Sequence, residues 1–253
     1  MNIAGVKSIY VFEMARARRT LWQSLVAPVI TTSLYFLVFG TAIGSRMSAM
    51  NGIEYGAFIV PGLIMLSVLT QSIFNASFGI YFPKFTGTIY ETLSAPISPF
   101  EITFAYVAAA TTKACVLALV TLATAALLVR FHIAHPVLML VFMVAISAGF
   151  CLLGFAIGIW AKSFEQLQVV PLLVVTPLTF LGGVFYSVAA LGEPWRTVTH
   201  LNPVLYLVSG FRWTFFDTAD VPLAASIAVM AGAILLPLAA IAWIFRTGYR
   251  LKN

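Results

Sequence analysis

The sequence predicts an all-α, polytopic membrane protein with six transmembrane helices, and three observations support this fold class. Of the 253 residues, 61% are hydrophobic and only 9% are charged, whereas soluble domains carry about 25% charged residues. Several uncharged apolar runs reach the roughly 20 helical residues that a bilayer requires. The charges lie at the ends of these runs. A soluble core is therefore excluded, and residues 1–253 are expected to form one integral membrane domain.

The first 21 residues differ from the apolar runs that follow. Lys7 and three arginines alternate there with apolar side chains at near-helical spacing, so an amphipathic helix at the membrane interface is expected. The alternative is that these basic residues only set the topology. The first apolar run begins after Trp22 and is longer than the apolar region of a cleaved signal peptide, so we expect it to be retained.

Uncharged runs give six spans, at about 22–43, 57–81, 102–129, 137–160, 167–186 and 221–245. Residues 84–101 connect the second and third spans. Residues 187–220 follow the fifth span, and glycine, proline and charged residues interrupt them. Broken backbone at membrane depth survives only where protein or water covers it, so re-entrant outer helices are expected in this segment.

The net charge of +6 is explained by topology rather than by nucleic-acid binding, because the basic residues flank the apolar runs. If the N-terminus lies inside, nine basic residues outside the spans fall on the inner side and four on the outer side. The positive-inside rule then predicts cytoplasmic termini. Cys115 and Cys151 fall within spans, and we interpret them as small packing residues rather than as a disulfide or metal site.

Lys113 is the one charge inside a predicted span. It lies about eleven residues into the third span, which at about 1.5 Å per residue places it near the bilayer midplane. An ionisable residue at this depth is a functional candidate, and a structural lysine that faces the bundle or snorkels is the alternative. No acidic residue falls within a predicted span. Backbone carbonyls, water, a lipid phosphate and a second protomer are the partners left open.

The connector at 84–101 is unusually apolar for a loop. Thr88 to Ser94 predict a short helix with Ile89 and Leu93 on one face, and the prolines that follow end it. Connectors are usually polar, so exposed Ile, Tyr and Leu side chains favour a docking surface for a protein partner over a plain linker.

Three patches resemble the permease subunits of the type 2 ABC exporter family, which includes O-antigen, nodulation-factor and antibiotic exporters. One is the basic N-terminal helix that leads to Pro28 and the Phe-Gly pair at 39–40. Another is ETLSAPISPFE at 91–101, which is similar to the family pattern Glu-x-Leu-x-x-Pro-(Ile/Val)-Ser. The last combines FLGGVF at 180–185 with LNPVLYLVSGFR at 201–212. The resemblance covers nearly the whole chain.

The resemblance implies a half-transporter rather than an enzyme. Two such chains, here expected to be a homodimer, would bind separate ATP-binding cassette ATPase subunits and move an amphipathic or lipid-linked substrate out of the cytoplasm, across a bacterial inner membrane. ATP and Mg²⁺ would be held by the ATPase partner and no cofactor by this chain, which has no Gly-x-x-x-x-Gly-Lys-(Ser/Thr) motif. Membrane lipids are the other expected partners.

The residues that match the family motifs receive roles from the resemblance. Those expected to couple to the ATPase are Arg16, Arg18, Arg19, Thr88, Glu91, Leu93, Pro96 and Ile97. Those expected to form an outer gate are Gly182, Gly183, Tyr186, Asn202, Pro203, Tyr206 and Arg212. The sequence departs from the family at 104–106 and at Lys113, where several relatives carry arginine, and these departures leave the substrate subgroup open.

Two other functions fit the sequence less well than transport driven by ATP. An ion-coupled secondary transporter would require acidic or histidine residues inside the spans and inverted repeats, and neither is visible. A membrane-embedded enzyme would require a clustered catalytic constellation, which the scattered acidic and histidine residues do not provide. His132 and His135 lie in an outer loop without a third ligand nearby, so no metal site is expected.

Overall fold

The computed structural model describes residues 2–44, 50 and 52–249. Within these ranges the chain is helical and contains no β-strand, and six segments are long and apolar enough to cross a membrane. The all-α class and the number of spans are therefore confirmed. Met1, residues 45–49, residue 51 and residues 250–253 lie outside the description, and with them part of the connector between the first two spans.

The helices are numbered α1 to α11 in chain order. Their bounds are Ile3–Arg19 (α1), Leu21–Tyr35 (α2), Tyr55–Thr86 (α3), Ile89–Ser94 (α4), Pro99–Leu128 (α5), Pro136–Trp160 (α6), Phe164–Val169 (α7), Thr176–Leu181 (α8), Trp195–His200 (α9), Pro203–Phe216 (α10) and Leu223–Thr247 (α11). Wider π-helical turns at Phe36–Ile43 prolong α2, and those at Val170–Val175 join α7 to α8 into one span.

Glycines fix the two span ends that differ most from the sequence prediction. The second span continues as α3 to Thr86, where Gly87 takes a left-handed conformation with φ of 81° and ends it. The fifth span ends at Leu181 rather than at residue 186, because the Gly182-Gly183 pair turns the chain, with φ of 79° at Gly183. The predicted short helix in the connector is present as α4.

Direct backbone contact between α3 and α6 forms the centre of the bundle. A Cβ atom placed on Gly154 would lie 2.4 Å from the carbonyl oxygen of Ile73, and one on Gly158 would lie 2.4 Å from that of Ser77. Only glycine permits this approach, and the Gly-x-x-x-Gly spacing of these two residues is typical of it. Cys151 is buried at the same contact, and both cysteines are free, as expected for packing residues.

The N-terminal helix α1 packs along a span instead of touching only the membrane surface. The backbone N–H of Asn2 donates to the Glu101 carboxylate at the start of α5, and the Tyr10 hydroxyl lies 3.1 Å from that of Thr112 farther along α5. The two helices therefore run side by side in the same direction. This packing places the middle of α1 next to Lys113, the charged residue inside the third span.

The bundle has two distinct ends. The α4 end holds α4, the end of α3 at Thr86 and the start of α5, while the α9 end holds α9 and the start of α3 at Tyr55. Helix α10 is packed inside the α9 end, with most of its side chains buried. At that end α3 touches the chain after α8, where a Cβ on Gly62 would lie 2.7 Å from the carbonyl oxygen of Val184.

Leucine at Gly158 tests the contact between α3 and α6. We expect Gly158→Leu to lower the stability of the purified permease by about 3 kcal/mol or more, because overpacking a well-packed core costs about 1–3 kcal/mol and here the obstacle is backbone. Gly232→Leu is the matched control, since a side chain at this α11 glycine would meet nothing within 4 Å. Equal thermal unfolding temperatures of the two variants in detergent would contradict the close contact.

Candidate functional site

Arg212 is the buried centre of the α9 end. Its side chain is 2% exposed and donates from Nη1 to Oδ2 of Asp220 over 2.8 Å. Nη2 donates to the carbonyl oxygen of Gly183, and the guanidinium lies 4.0 Å from the centroid of the Phe58 ring. Arg212 therefore joins α10, the turn before α11, the chain after α8 and α3.

The turn that delivers Asp220 is built by local chain geometry. Asp217 takes a left-handed conformation with φ of 56° and ends α10, so the chain folds back over the helix. The Ser209 hydroxyl then accepts from the backbone N–H of Asp220 over 2.9 Å and from that of Val221 over 3.2 Å. The second carboxylate oxygen of Asp220 accepts from Ser187 over 2.6 Å. Both oxygens of this buried carboxylate are thus hydrogen-bonded.

Asn202 joins two helix ends. Its Oδ1 accepts from the backbone N–H of Val204 over 2.9 Å and caps α10, in which Pro203 takes the first position. Its Nδ2 donates to the carbonyl oxygen of Leu178. Helix α8 ends three residues later, so this carbonyl lacks an intrahelical donor. A single amide side chain satisfies both ends.

The remaining predicted gate residues complete the same unit. The Tyr186 hydroxyl donates to the carbonyl oxygen of Leu181 over 2.9 Å, and the Tyr206 hydroxyl donates to that of His200 over 3.0 Å. Both carbonyls lie at helix ends, where acceptors are left over. A Cβ on Gly182 would lie 3.0 Å from the carbonyl oxygen of Leu178. The structure thus brings all seven predicted residues into one hydrogen-bonded cap.

Asp220 is the residue of this cap that sequence reasoning missed. In the sequence, Asp220 is simply the charged residue that precedes the sixth span. The signal that could have found it is an acidic residue eight positions after a charged residue in an apolar stretch, since a buried arginine requires a partner. The same loop also holds Asp217, which pairs with exposed His135 at 2.7 Å. The spacing alone does not choose between the two acids.

The α4 end forms a second unit, in which α1 is fastened to the start of α5. Ser98 and Glu101 form a capping box at the start of α5, with the Ser98 backbone N–H donating to Glu101 over 2.8 Å. The Asn2 side chain donates to the carbonyl oxygen of Pro96 over 3.2 Å. A Cβ on Gly5 would lie 2.7 Å from the Ile97 side chain. Movement of residues 96–101, which follow α4, therefore cannot leave α1 in place without breaking these contacts.

The orientation of α4 corrects one sequence expectation. Ile89 is buried, and Leu93 and Ile97 are half-buried against a cluster formed by α3, α5 and α6, so the expected exposure of isoleucine and leucine was wrong. Their apolar side chains hold α4 on the bundle. The surface that faces outward instead carries Tyr90, which is 50% exposed, together with exposed Thr88, Glu91 and Pro96.

The three arginines of α1 do not share one environment. Arg18 and Arg19 are exposed, whereas Arg16 turns inward, pairs with buried Glu13 and lies 5.3 Å from the centroid of the Phe78 ring. Arg16 is therefore not part of an exposed docking face, although the sequence grouped it with the other two. Burial raises the pKa of the Glu13 carboxyl to about 7, against the lowering effect of the charges on Arg16 and Lys113.

Glu13 is the acidic group that Lys113 meets, because the two side chains line the same cavity and interact electrostatically. It comes from α1, outside the spans, so a search for acids within the spans did not find it. Within the described ranges no three histidine, cysteine or acidic side chains are grouped in a way that could hold a metal ion. His132 and His135 therefore gain no third ligand there.

Comparison with known proteins adds a family context to this geometry. Residues 5–216 match the family model described as ABC-2 type transporter. The chain is 40% identical over 226 residues to the inner membrane transport permease YadH of Escherichia coli strain K12, which covers 89% of this chain and 88% of that protein. Nodulation protein J of Neorhizobium galegae is 25% identical, covering 75% of this chain and 72% of the relative. Nodulation protein J of Rhizobium leguminosarum bv. viciae is 24% identical, with 85% and 82% covered.

Breaking the ion pair of the cap tests its energetic role. We expect Arg212→Met to destabilise the protein by about 3–5 kcal/mol, because it leaves the buried Asp220 carboxylate without its charged partner. The double variant Arg212→Met with Asp220→Leu removes both charges, and its thermal unfolding temperature should lie closer to wild type than that of either single variant. Additive losses in the double variant would show that the two side chains do not act as a pair.

Proposed function

The chain belongs to the ABC-2 type transporter family, and from this premise we propose that it is the permease of an ATP-driven exporter that moves an amphipathic or lipid-linked substrate out of the cytoplasm. As a member it is the membrane subunit of an ABC transporter. The family match favours this function over the ion-coupled transporter and the membrane enzyme. Export, the substrate class and the identity of the subunits that assemble with it are the proposed parts.

The observation that carries the proposal is the division of the molecule into two units at opposite ends of one helix. Helix α3 begins under the cap, where the Tyr55 hydroxyl donates to the carbonyl oxygen of Phe185 over 3.1 Å. It runs without interruption to Thr86, two residues before the exposed face of α4 begins at Thr88. A partner that moves α4 therefore acts on the helix that also supports the cap.

The proposed partner is an ATP-binding cassette ATPase that docks on the exposed face of α4 and on Arg18 and Arg19. ATP and Mg²⁺ would be bound in that subunit. Leu93 and Ile97 face the bundle and would pass the movement inward, while Glu91, Tyr90 and Pro96 would touch the ATPase. Two permease chains, as a homodimer, would enclose the pathway, with the cap closing its outer end.

The location proposed for the protein is a bacterial inner membrane, with both termini in the cytoplasm. The inner membrane is supported by the relative from Escherichia coli, whose name places it there. The orientation is supported by the excess of basic residues on the side of the membrane where the N-terminus lies. In this orientation the α4 end faces the cytoplasm, where ATP is available, and the cap faces outward.

Docking on α4 is tested by reversing its exposed charge. Glu91→Arg should abolish co-purification with the ATPase partner and should abolish export, while the permease remains folded, because the side chain is exposed. Glu193→Arg makes the same change at an exposed position at the opposite end and should leave co-purification intact. If both variants retain the ATPase equally, α4 is not the docking surface.

A variant of the cap separates the gate from ATPase docking. Asn202→Asp keeps an oxygen that caps α10 but loses the donor to Leu178. We expect it to reduce export by about tenfold or more, since one buried hydrogen bond replaced by an unpaired group costs about 1–3 kcal/mol, and to co-purify with the ATPase at the wild-type level. Wild-type export by this variant would remove Asn202 from the gate.

A further inference from the structure

A polar cavity lies inside the bundle, apart from both the cap and the exposed face of α4. Its volume is about 270 Å³, and α1, α3 and α5 form its walls with Glu13, Arg16, Asn75 and Lys113. Lys113 also lines two neighbouring cavities. One, of about 390 Å³, is lined largely by polar residues of α2, α3 and α7, and the other, of about 460 Å³, is largely apolar and lies between α1 and α5.

Three atoms in the walls of the polar cavity are buried without a hydrogen-bond partner among the described residues. They are Oε1 of Glu13, Nη1 of Arg16 and Nδ2 of Asn75. Glu13 is only 6% exposed. A buried polar group without a partner costs about 1–3 kcal/mol, and more when it is charged. Three such atoms on residues that line one cavity indicate that a further group completes their hydrogen bonding.

The chemistry of these atoms specifies their complement. Arg16 and Asn75 offer N–H donors, and the Lys113 ammonium adds a third donor on the same wall, so a ligand must bring an oxyanion. Oε1 of Glu13 is an acceptor, so the same ligand must also bring an N–H or O–H donor. The phosphate diester of a lipid whose headgroup has no N–H or O–H fails the second condition, because it has nothing to donate to Oε1 of Glu13.

We propose that this cavity binds the headgroup of a phospholipid that carries a primary ammonium beside its phosphate, of which phosphatidylethanolamine is the simplest. The phosphate accepts from Arg16, Asn75 and Lys113, and the ammonium donates to Oε1 of Glu13. The acyl chains occupy the apolar cavity that begins at Lys113, where Met14, Leu21 and Val116 form the walls. Charge complementarity supports this ligand, since its phosphate would meet two cationic side chains and its ammonium would meet the carboxylate.

This site does not rest on the proposed function. Binding is measured on the purified permease without ATPase, substrate gradient or transport. Failure of export or of ATPase docking therefore leaves the inference standing, and failure of lipid binding leaves the proposed function standing. Lipid binding would give Lys113 a specific role, because Lys113 lines both the polar and the apolar cavity.

The test compares lipids that differ only in their headgroups. Delipidated permease is titrated with dioleoyl phosphatidylethanolamine and with dioleoyl phosphatidylcholine, whose quaternary ammonium has no N–H, and bound lipid is counted by native mass spectrometry. We expect about tenfold tighter binding of the ethanolamine lipid. Glu13→Gln, which keeps the size of the side chain, should bring the two affinities within about twofold. Equal affinities in the wild-type protein, or an unchanged preference in Glu13→Gln, would overturn the proposal.

Two further arms test the phosphate and the acyl chains. Lys113→Met should weaken both lipids by about tenfold, whereas Lys113→Arg, which keeps the charge, and the exposed Lys162→Met should not. The arginine variant and an unfolding curve for each protein separate lost binding from lost folding. Soluble phosphoethanolamine at the same concentration should leave the lipid bound. If soluble phosphoethanolamine displaces the lipid, or if Lys113→Met binds lipid as tightly as the wild type, the proposed lipid site is wrong.

Discussion

The backbone contact between α3 and α6 is the constraint on which the rest of the structure depends. Gly154 and Gly158 bring the two helix axes so close that no side chain fits between them, and hydrogen bonding between Ser72 and Ser147 over 2.9 Å adds a polar link in the same interface. In a bilayer, helices associate through such close packing because apolar side chains gain little by leaving lipid for protein. The other spans pack on this pair or on its neighbours: α5 on α3 and α6, α11 on α6, and α2 on α5.

A central, continuous α3 gives the molecule a mechanical connection between its ends. At one end it supports the cap through Phe58, which lies under the Arg212 guanidinium, and through Gly62. At the other end Lys84 donates to the carbonyl oxygen of Ile159 at the end of α6 over 2.8 Å. Among the described residues of the cap, Nε of Arg212 is the one buried side-chain nitrogen or oxygen without a partner, so the cap behaves as one body. A displacement of α3 is then transmitted to the cap as a whole.

The sequence predicted the helices well and their contacts poorly, for physical reasons. Hydrophobic length and flanking charge are local properties of the sequence, so they predicted all six spans. The exposure of Ile89, Leu93 and Arg16 depends on which face of α4 or α1 packs against the bundle. Apolar and polar residues occur on several faces of these helices, so the sequence does not determine the packed face. Glu13 near Lys113 and Asp220 near Arg212 are contacts between separate elements. The sequence indicates that a buried charge needs a partner of opposite sign, but it does not identify which acidic residue is that partner.

Linked movement of the two ends is tested most directly by labels on the assembled transporter. Thr86→Cys at the α4 end and Trp195→Cys in the cap are exposed positions, and each carries a spin label singly in a background with Cys115→Ser and Cys151→Ala. A non-hydrolysable ATP analogue should change label mobility at both positions when the ATPase is bound, and at neither position in the permease alone. A change at Thr86 with an unaltered signal at Trp195 would contradict transmission through α3.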